Sequence, residues 1–280
     1  MAENTLSKYR IISHKGSAFD VSDGQSIFTC GARGTLKRGE GIVVGDYCEI
    51  KDGMIVKILP RVNSLVRPSV ANIQQAVIVV APLPKPDFLL IEKMIINCIR
   101  IDIEAVLCLN KIDLGAEELY HSLLSQYRRD VKSIIKASAE ERKTASLKRI
   151  LKGKLSALCG QSAVGKSSLV NAMCREAARS VGGLSGNLRG KNTTTRSGLI
   201  GIGLDTYVID TPGFGSLDIF GVNSKELHLY YNDFVRLADG CRYRGCTHTH
   251  EPECAVKAAV DKGKVDSDRY ERYLRLTEDA

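Results

Sequence analysis

Gly160-Gln-Ser-Ala-Val-Gly-Lys-Ser167 constrains the fold of this chain most, because it follows an apolar run, Leu155–Cys159, and precedes a helix-forming stretch, Ser168–Cys174. Strand, glycine-bearing loop and new helix in that order make a phosphate cradle. The glycines let backbone N–H groups face an anion, and the helix contributes its positive N-terminal end. Gly160, Gln161, Ser162, Ala163, Val164, Gly165 and Ser168 are read as the loop around the phosphates, Lys166 as the cation against β- and γ-phosphate charge, and Ser167 as a Mg²⁺-ligating hydroxyl. The loop alone does not separate ATP from GTP.

Two further motifs narrow the choice. Asp210-Thr-Pro-Gly213 closes the apolar segment Tyr207–Ile209, so an acidic residue at a strand end can hold magnesium through water while Gly213 offers a backbone N–H to the γ-phosphate. Asn110-Lys-Ile-Asp113 closes the run Ala105–Leu109. A carboxylate at Asp113 can accept from both N1 and N2 of guanine, a donor pair that adenine lacks, so a site relying on it rejects ATP. Asn110 and Lys111 complete that motif, and Ser138, in Ala137-Ser-Ala139 after the next strand, is expected beside the base. In ordinary GTPases the phosphate loop comes first and the base-reading motifs last. Here Asn110 and Ser138 precede Gly160, so the domain is circularly permuted, a rearrangement tolerated when the original termini lie close together at the surface.

The 280 residues, 44% hydrophobic and 26% charged, suffice for two or three domains. From Ser7 to Ile58 short alternating segments (Tyr9–Ser13, Gln25–Cys30, Tyr47–Ile50, Met54–Ile58) separated by glycine turns predict a small barrel of about five strands, OB-type or SH3-like. Leu59–Pro68 reads as a connector. From Ala71 the buried runs Gln75–Val80, Ala105–Leu109, Val131–Ile135 and Leu155–Cys159 alternate with helical patterns at Phe88–Arg100, Glu117–Tyr127 and Ser146–Leu151, the signature of a parallel α/β domain. Beyond Gly215 the chain turns helical around a Cys/His cluster and ends in the charged stretch Asp266–Glu278. The expected division is a barrel at 1–68, a permuted P-loop domain at 69–220 and a helical metal-binding domain at 221–280. The N-terminus lacks a leader pattern and no run approaches the roughly 18 apolar residues of a membrane span, so a cytoplasmic location is expected.

Of nine cysteines, Cys98, Cys108 and Cys159 sit singly in apolar runs and read as reduced core residues. Cys241, Cys246 and Cys254 instead crowd together with His248. Three thiolates and an imidazole suit tetrahedral Zn²⁺, and with no open position the ion would be structural. His250 competes with His248 on composition alone. The net charge of +8 favours an anionic partner. Arg242, Arg244, Lys257, Lys262 and Lys264 surround the cluster, while the barrel carries Lys8, Arg10, Lys15, Arg33, Lys37 and Arg38, two basic modules suited to RNA backbone.

The permuted motif order, the N-terminal barrel and the C-terminal Cys-x4-Cys-x-His-x5-Cys together resemble the RsgA (YjeQ) family across essentially the whole chain. That resemblance implies an OB barrel, a permuted GTPase and a zinc domain. It also implies a role in late maturation of the small (30S) ribosomal subunit, with rRNA contacts, GTP hydrolysis stimulated by the subunit, and release of the factor as GDP forms. It favours His248 as the fourth zinc ligand, and places a switch at Gly190-Lys-Asn-Thr-Thr-Thr195, where Thr194, or its neighbour Thr193 or Thr195, completes the Mg²⁺ shell. Two positions depart from the family pattern: Asn192 stands where many members have His, and Ala163 where they have Gly. Phe214 occupies the place where many GTPases carry a water-orienting glutamine, so slow intrinsic hydrolysis is expected. Competing readings are a P-loop kinase or ATPase, which Asn110–Asp113 argues against, and an RNA-binding module with a vestigial nucleotide site, which the intact Lys166, Ser167 and Asp210 argue against. Nothing in the sequence requires more than a monomer.

Overall fold

The computed structural model describes residues 8–37, 41–65, 69–180, 198–210 and 222–279. The first of its three parts is a closed barrel of β1 (Lys8–Lys15), β2 (Ala18–Ser22), β3 (Ile27–Ala32), β4 (Tyr47–Lys51) and β5 (Met54–Ile58), ordered β1-β2-β3-β5-β4. β3 and β5 run parallel and the other pairs antiparallel, a Greek-key closure of OB type. Ile11, Phe19, Val21, Cys30, Cys48 and Ile55 point inward and fill it. A short hairpin, β6 (Ser64–Leu65) with β7 (Val70–Ala71), leads to the second part.

That part is a six-stranded sheet in the order β10-β9-β8-β11-β13-β12. Its strands are β8 (Gln75–Val80), β9 (Glu104–Leu109), β10 (Ser133–Lys136), β11 (Leu155–Cys159), β12 (Ile200–Gly203) and β13 (Thr206–Asp210). Five strands are parallel, and β12 is an antiparallel edge. Period-two alternation along the strands supplies both faces. Ala76, Ile78 and Val80 join the core under α1 (Phe88–Arg100) and α2 (Glu117–Tyr127), whereas Val77 and Val79 join the core under α3 (Ala145–Leu151) and α4 (Lys166–Ser180). Asp87 caps α1 by accepting from Leu90 N at 2.9 Å.

The barrel is not a separate bead. Ile12, Val44, Val70 and Ile73 belong to the same apolar core as Leu155, Leu199 and Tyr207, and Leu199 N donates to Ile12 O at 3.0 Å. Gly45 lies at this junction with φ +87°, where an added Cβ would stand 2.1 Å from Ala71 O.

The third part comprises a 3-10 turn (Ser224–Tyr230), α5 (Asn232–Leu237), α6 (Ala255–Asp261) and α7 (Ser267–Asp279). Its small core is a ring cluster: Phe234 stacks on Tyr231 at 4.9 Å and meets Tyr273 edge-on at 4.9 Å. Two arginines of α7 fasten it to the sheet domain. Arg269 reaches Asp130 at 2.8 Å and Glu92 of α1 at 3.4 Å, and Arg272 reaches Glu92 at 3.3 Å. Tyr127 OH donates to the same Glu92 at 3.1 Å. Burial pushes the Glu92 carboxyl above its ordinary range, and the two guanidiniums pull it back. Among the described residues, no helix is long and apolar enough to cross a membrane.

Candidate nucleotide site and metal centre

Three loops converge at the C-terminal edge of the parallel strands, the end at which open α/β sheets bind ligands. The 160–165 loop leaves β11, the Asn110–Asp113 segment leaves β9, and the Ala137–Ala139 segment leaves β10. Gly160 has φ +132° and an added Cβ would fall 2.3 Å from Val79 O, while Gly165 has φ +94° with its Cβ position 2.4 Å from Asn110 Nδ2. Both glycines are therefore required by close approach as well as by backbone conformation. Ala163, at φ +63°, holds a left-handed conformation that a glycine would adopt without strain.

The side chains of the asparagine motif brace the phosphate loop. Asn110 is buried, and its Nδ2 donates to Val164 O at 2.9 Å. Lys111, itself at φ +57°, lays its ammonium across the loop and donates to Ala163 O at 2.9 Å and Leu83 O at 2.8 Å. Ser138 Oγ donates to Asp113 Oδ1 at 2.6 Å and fixes one edge of that carboxylate. The backbone N–H of Ser138 is itself engaged with Lys143 O at 3.1 Å, so the serine meets Asp113 through its hydroxyl. Lys166 Nζ donates to Gly160 O at 2.8 Å and Gln161 O at 2.9 Å, which places the ammonium at the mouth of the loop, where an anion would exchange for the carbonyls.

The sequence motifs at 110–113, 138 and 160–168 are thus brought together. The backbone of Asp210 pairs with Leu158, two residues before Gly160, so the end of β13 lies beside the loop. Thr194, Gly213, Asn192 and Phe214 lie outside the described residues, as does the side chain of Asp210. A contact without a sequence signal joins the loop between β8 and α1 to the site: Asp87 N donates to Gln161 Oε1 at 3.3 Å.

Cys241, Cys246, His248 and Cys254 place their ligand atoms within 4.8 Å of one another. Cys241 Sγ and Cys254 Sγ are 4.0 Å apart, and His248 Nδ1 is 3.6 and 3.4 Å from them. Tetrahedral zinc bonds of about 2.3 Å to sulfur and about 2.0–2.1 Å to nitrogen demand S···S edges of about 3.8 Å and S···N edges of about 3.5 Å, which the Cys241, Cys254 and His248 donors match, and Cys246, within 4.8 Å of them, makes the fourth donor of a set that could hold the ion. Burial pushes the Cys246 thiol up to about 12 and pulls His248 down to about 4, and a dication reverses the first cost by stabilising the thiolate. His250 is exposed and donates no atom to this group.

One expected RNA-facing residue is placed otherwise. Arg10 is 4% exposed, with its guanidinium 4.7 Å from the Tyr47 ring and 5.9 Å from the Tyr207 ring, so it serves the junction between barrel and sheet. Arg38 and the side chains of Lys15 and Lys37 lie outside the described residues.

An OB barrel, a P-loop α/β domain whose base-reading motif precedes its phosphate loop, and a helical Cys3His module define a circularly permuted GTPase. A family model described as RsgA GTPase matches residues 58–220, more than half of the chain. The chain belongs to the RsgA GTPase family. It is 38% identical over 277 residues to the small ribosomal subunit biogenesis GTPase RsgA of Caldanaerobacter subterraneus subsp. tengcongensis, covering 95% of this chain and 93% of that one. The protein of the same name from Shouchella clausii is 36% identical, with 95% and 94% covered. Among solved structures, YjeQ from Thermotoga maritima superposes with a TM-score of 0.81 at 32% identity, covering 97% of each chain. YloQ, described as a circularly permuted GTPase, gives 0.79 at 26% identity, covering 99% of this chain and 96% of that one.

Proposed function

We propose that this protein is a GTPase that binds the small ribosomal subunit and assists its late maturation, with hydrolysis stimulated by the subunit and release following it. The observation that carries the nucleotide half is the joint made by Asn110, Lys111 and the phosphate loop, which couples a guanine-reading segment to a phosphate cradle through two hydrogen bonds, to Val164 O and Ala163 O. The names of relatives matched over more than nine-tenths of the chain support the ribosomal half.

In this reading Asp113, oriented by Ser138, accepts from N1 and N2 of guanine, and Asn110 and Lys111 hold the base pocket against the loop. Backbone N–H groups of 160–168 wrap the phosphates, and Lys166 gives up its two carbonyl partners for β- and γ-oxygens. Ser167, Thr194 and Asp210 supply a hydroxyl and carboxylate donor set suited to Mg²⁺, which neutralises phosphate charge when bound with GTP. Gly213 offers its N–H to the γ-phosphate. Hydrolysis is slow in the free protein, because Phe214 cannot orient water by hydrogen bonding. The domains are 1–68, 69–220 and 221–280. Cys241, Cys246, His248 and Cys254 hold one structural zinc, and the barrel and zinc module contact rRNA from a monomeric protein.

Co-sedimentation with purified small subunits tests both halves at once. Wild type pellets with a non-hydrolysable guanosine triphosphate analogue, and Asp113→Asn pellets only with the xanthosine analogue, because an amide at that position complements the altered base. Equal response of the variant to the guanosine analogue would contradict the assignment.

A further inference from the structure

The Cys-x4-Cys turn of the zinc module has a composition that neither the metal nor the core explains. Between the ligands Cys241 and Cys246 stand Arg242, Tyr243, Arg244 and Gly245, all four exposed. The other four tyrosines of the module, Tyr230, Tyr231, Tyr270 and Tyr273, pack in its apolar core, and two of them spend their hydroxyls on the metal-binding loop, Tyr270 on His248 O at 2.7 Å and Tyr273 on Thr247 O. Tyr243 is 45% exposed, and the guanidinium of Arg242 lies 5.7 Å from its ring centroid.

Arg242 is held in that place. Its backbone N donates to Glu253 O at 3.3 Å and its Nη1 pairs with the Glu253 carboxylate. The turn is closed by Gly245 at φ +73° and pinned at each end by a ligand cysteine, so the ring is presented from a short, doubly anchored loop. An exposed aromatic ring beside the exposed Arg244 on a doubly anchored turn matches one chemistry: a nucleobase stacks on the ring while a flanking phosphate meets the Arg244 guanidinium. A duplex offers no free base face along its length, so the fitting partner is an unpaired nucleotide.

From this we infer that the 242–245 turn is a base-stacking finger, with Tyr243 as the platform for one unpaired nucleotide of RNA, Arg244 as its phosphate partner and Arg242, held by Glu253, bracing the ring. The inference rests on the ribosomal reading above and names a contact within it.

Full-length, zinc-loaded protein is titrated against a fluorescein-labelled oligoadenylate, a blunt RNA duplex and purified small subunits, with zinc content measured for each variant. Tyr243→Ala is expected to weaken oligoadenylate and subunit binding about tenfold, with an unchanged salt slope and duplex affinity, while Tyr243→Trp stays within about twofold of wild type. Arg244→Ala is expected to reduce the salt slope by about one. Undiminished binding by Tyr243→Ala, or an equal loss for Tyr243→Trp, would overturn the finger. Wild type that binds subunits beside an insensitive Tyr243→Ala removes this inference alone, whereas wild type that fails to bind subunits removes the ribosomal reading and the finger with it.

Discussion

Arg269→Ala probes the joint between the zinc module and the sheet domain. Arg269 is 2% exposed, and its guanidinium lies 2.8 Å from Asp130 and 3.4 Å from Glu92, which are 8% and 1% exposed. It also faces the rings of Tyr127 at 5.1 Å and Tyr231 at 4.9 Å. Removing one partner from a buried ion cluster strands the others, at a cost of about 3–5 kcal/mol. Arg272 still reaches Glu92, which moves the expectation to the lower part of that range, and Asp130 keeps its contact with Asn232 N at 2.9 Å. Urea unfolding followed by circular dichroism, at fixed zinc concentration, should therefore show Arg269→Ala less stable by about 3 kcal/mol. Adding Asp130→Asn to that variant removes the carboxylate charge that has lost its guanidinium and should recover part of the loss, so that the two substitutions are non-additive. A single-variant loss below about 0.5 kcal/mol, within the range of ordinary surface substitutions, would refute the view that this cluster fastens the module.

Two other perturbations bear on the site and the metal. Gly165→Ala forces a methyl to 2.4 Å from Asn110 Nδ2 at a left-handed backbone position, and is expected to lower GTP affinity at least tenfold by calorimetry while Ala163→Gly retains it. Chelation of zinc should unfold the 222–279 module, read as loss of helical circular dichroism and release of one equivalent of Zn²⁺ per chain, with recovery on adding the metal back.

Much of the sheet domain is legible in the sequence because its strands are unbroken apolar runs and its helices carry a clear apolar stripe. β8, α1, α2 and β11 fall at the residues that these patterns mark. β2 and β12 are not legible in the same way. β2 is five residues long beside a glycine turn, and β12, Ile-Gly-Ile-Gly, is an edge strand whose two glycines weaken any strand signal. The nucleotide motifs are readable because each follows a buried strand, so that local sequence already positions it. What binds the parts together is not local: Arg269 and Asp130 are 139 residues apart, and nothing in either segment announces the other. Arg10 shows the reverse error, since a cation counted with a basic surface is buried between two aromatic rings.

The most direct test of the account is GTP turnover by the full-length protein with and without purified small ribosomal subunits, with large subunits as the control. Slow hydrolysis by the free protein, strong acceleration by small subunits and none by large ones are expected. Turnover unchanged by small subunits, or as fast in the free protein as in their presence, would contradict it.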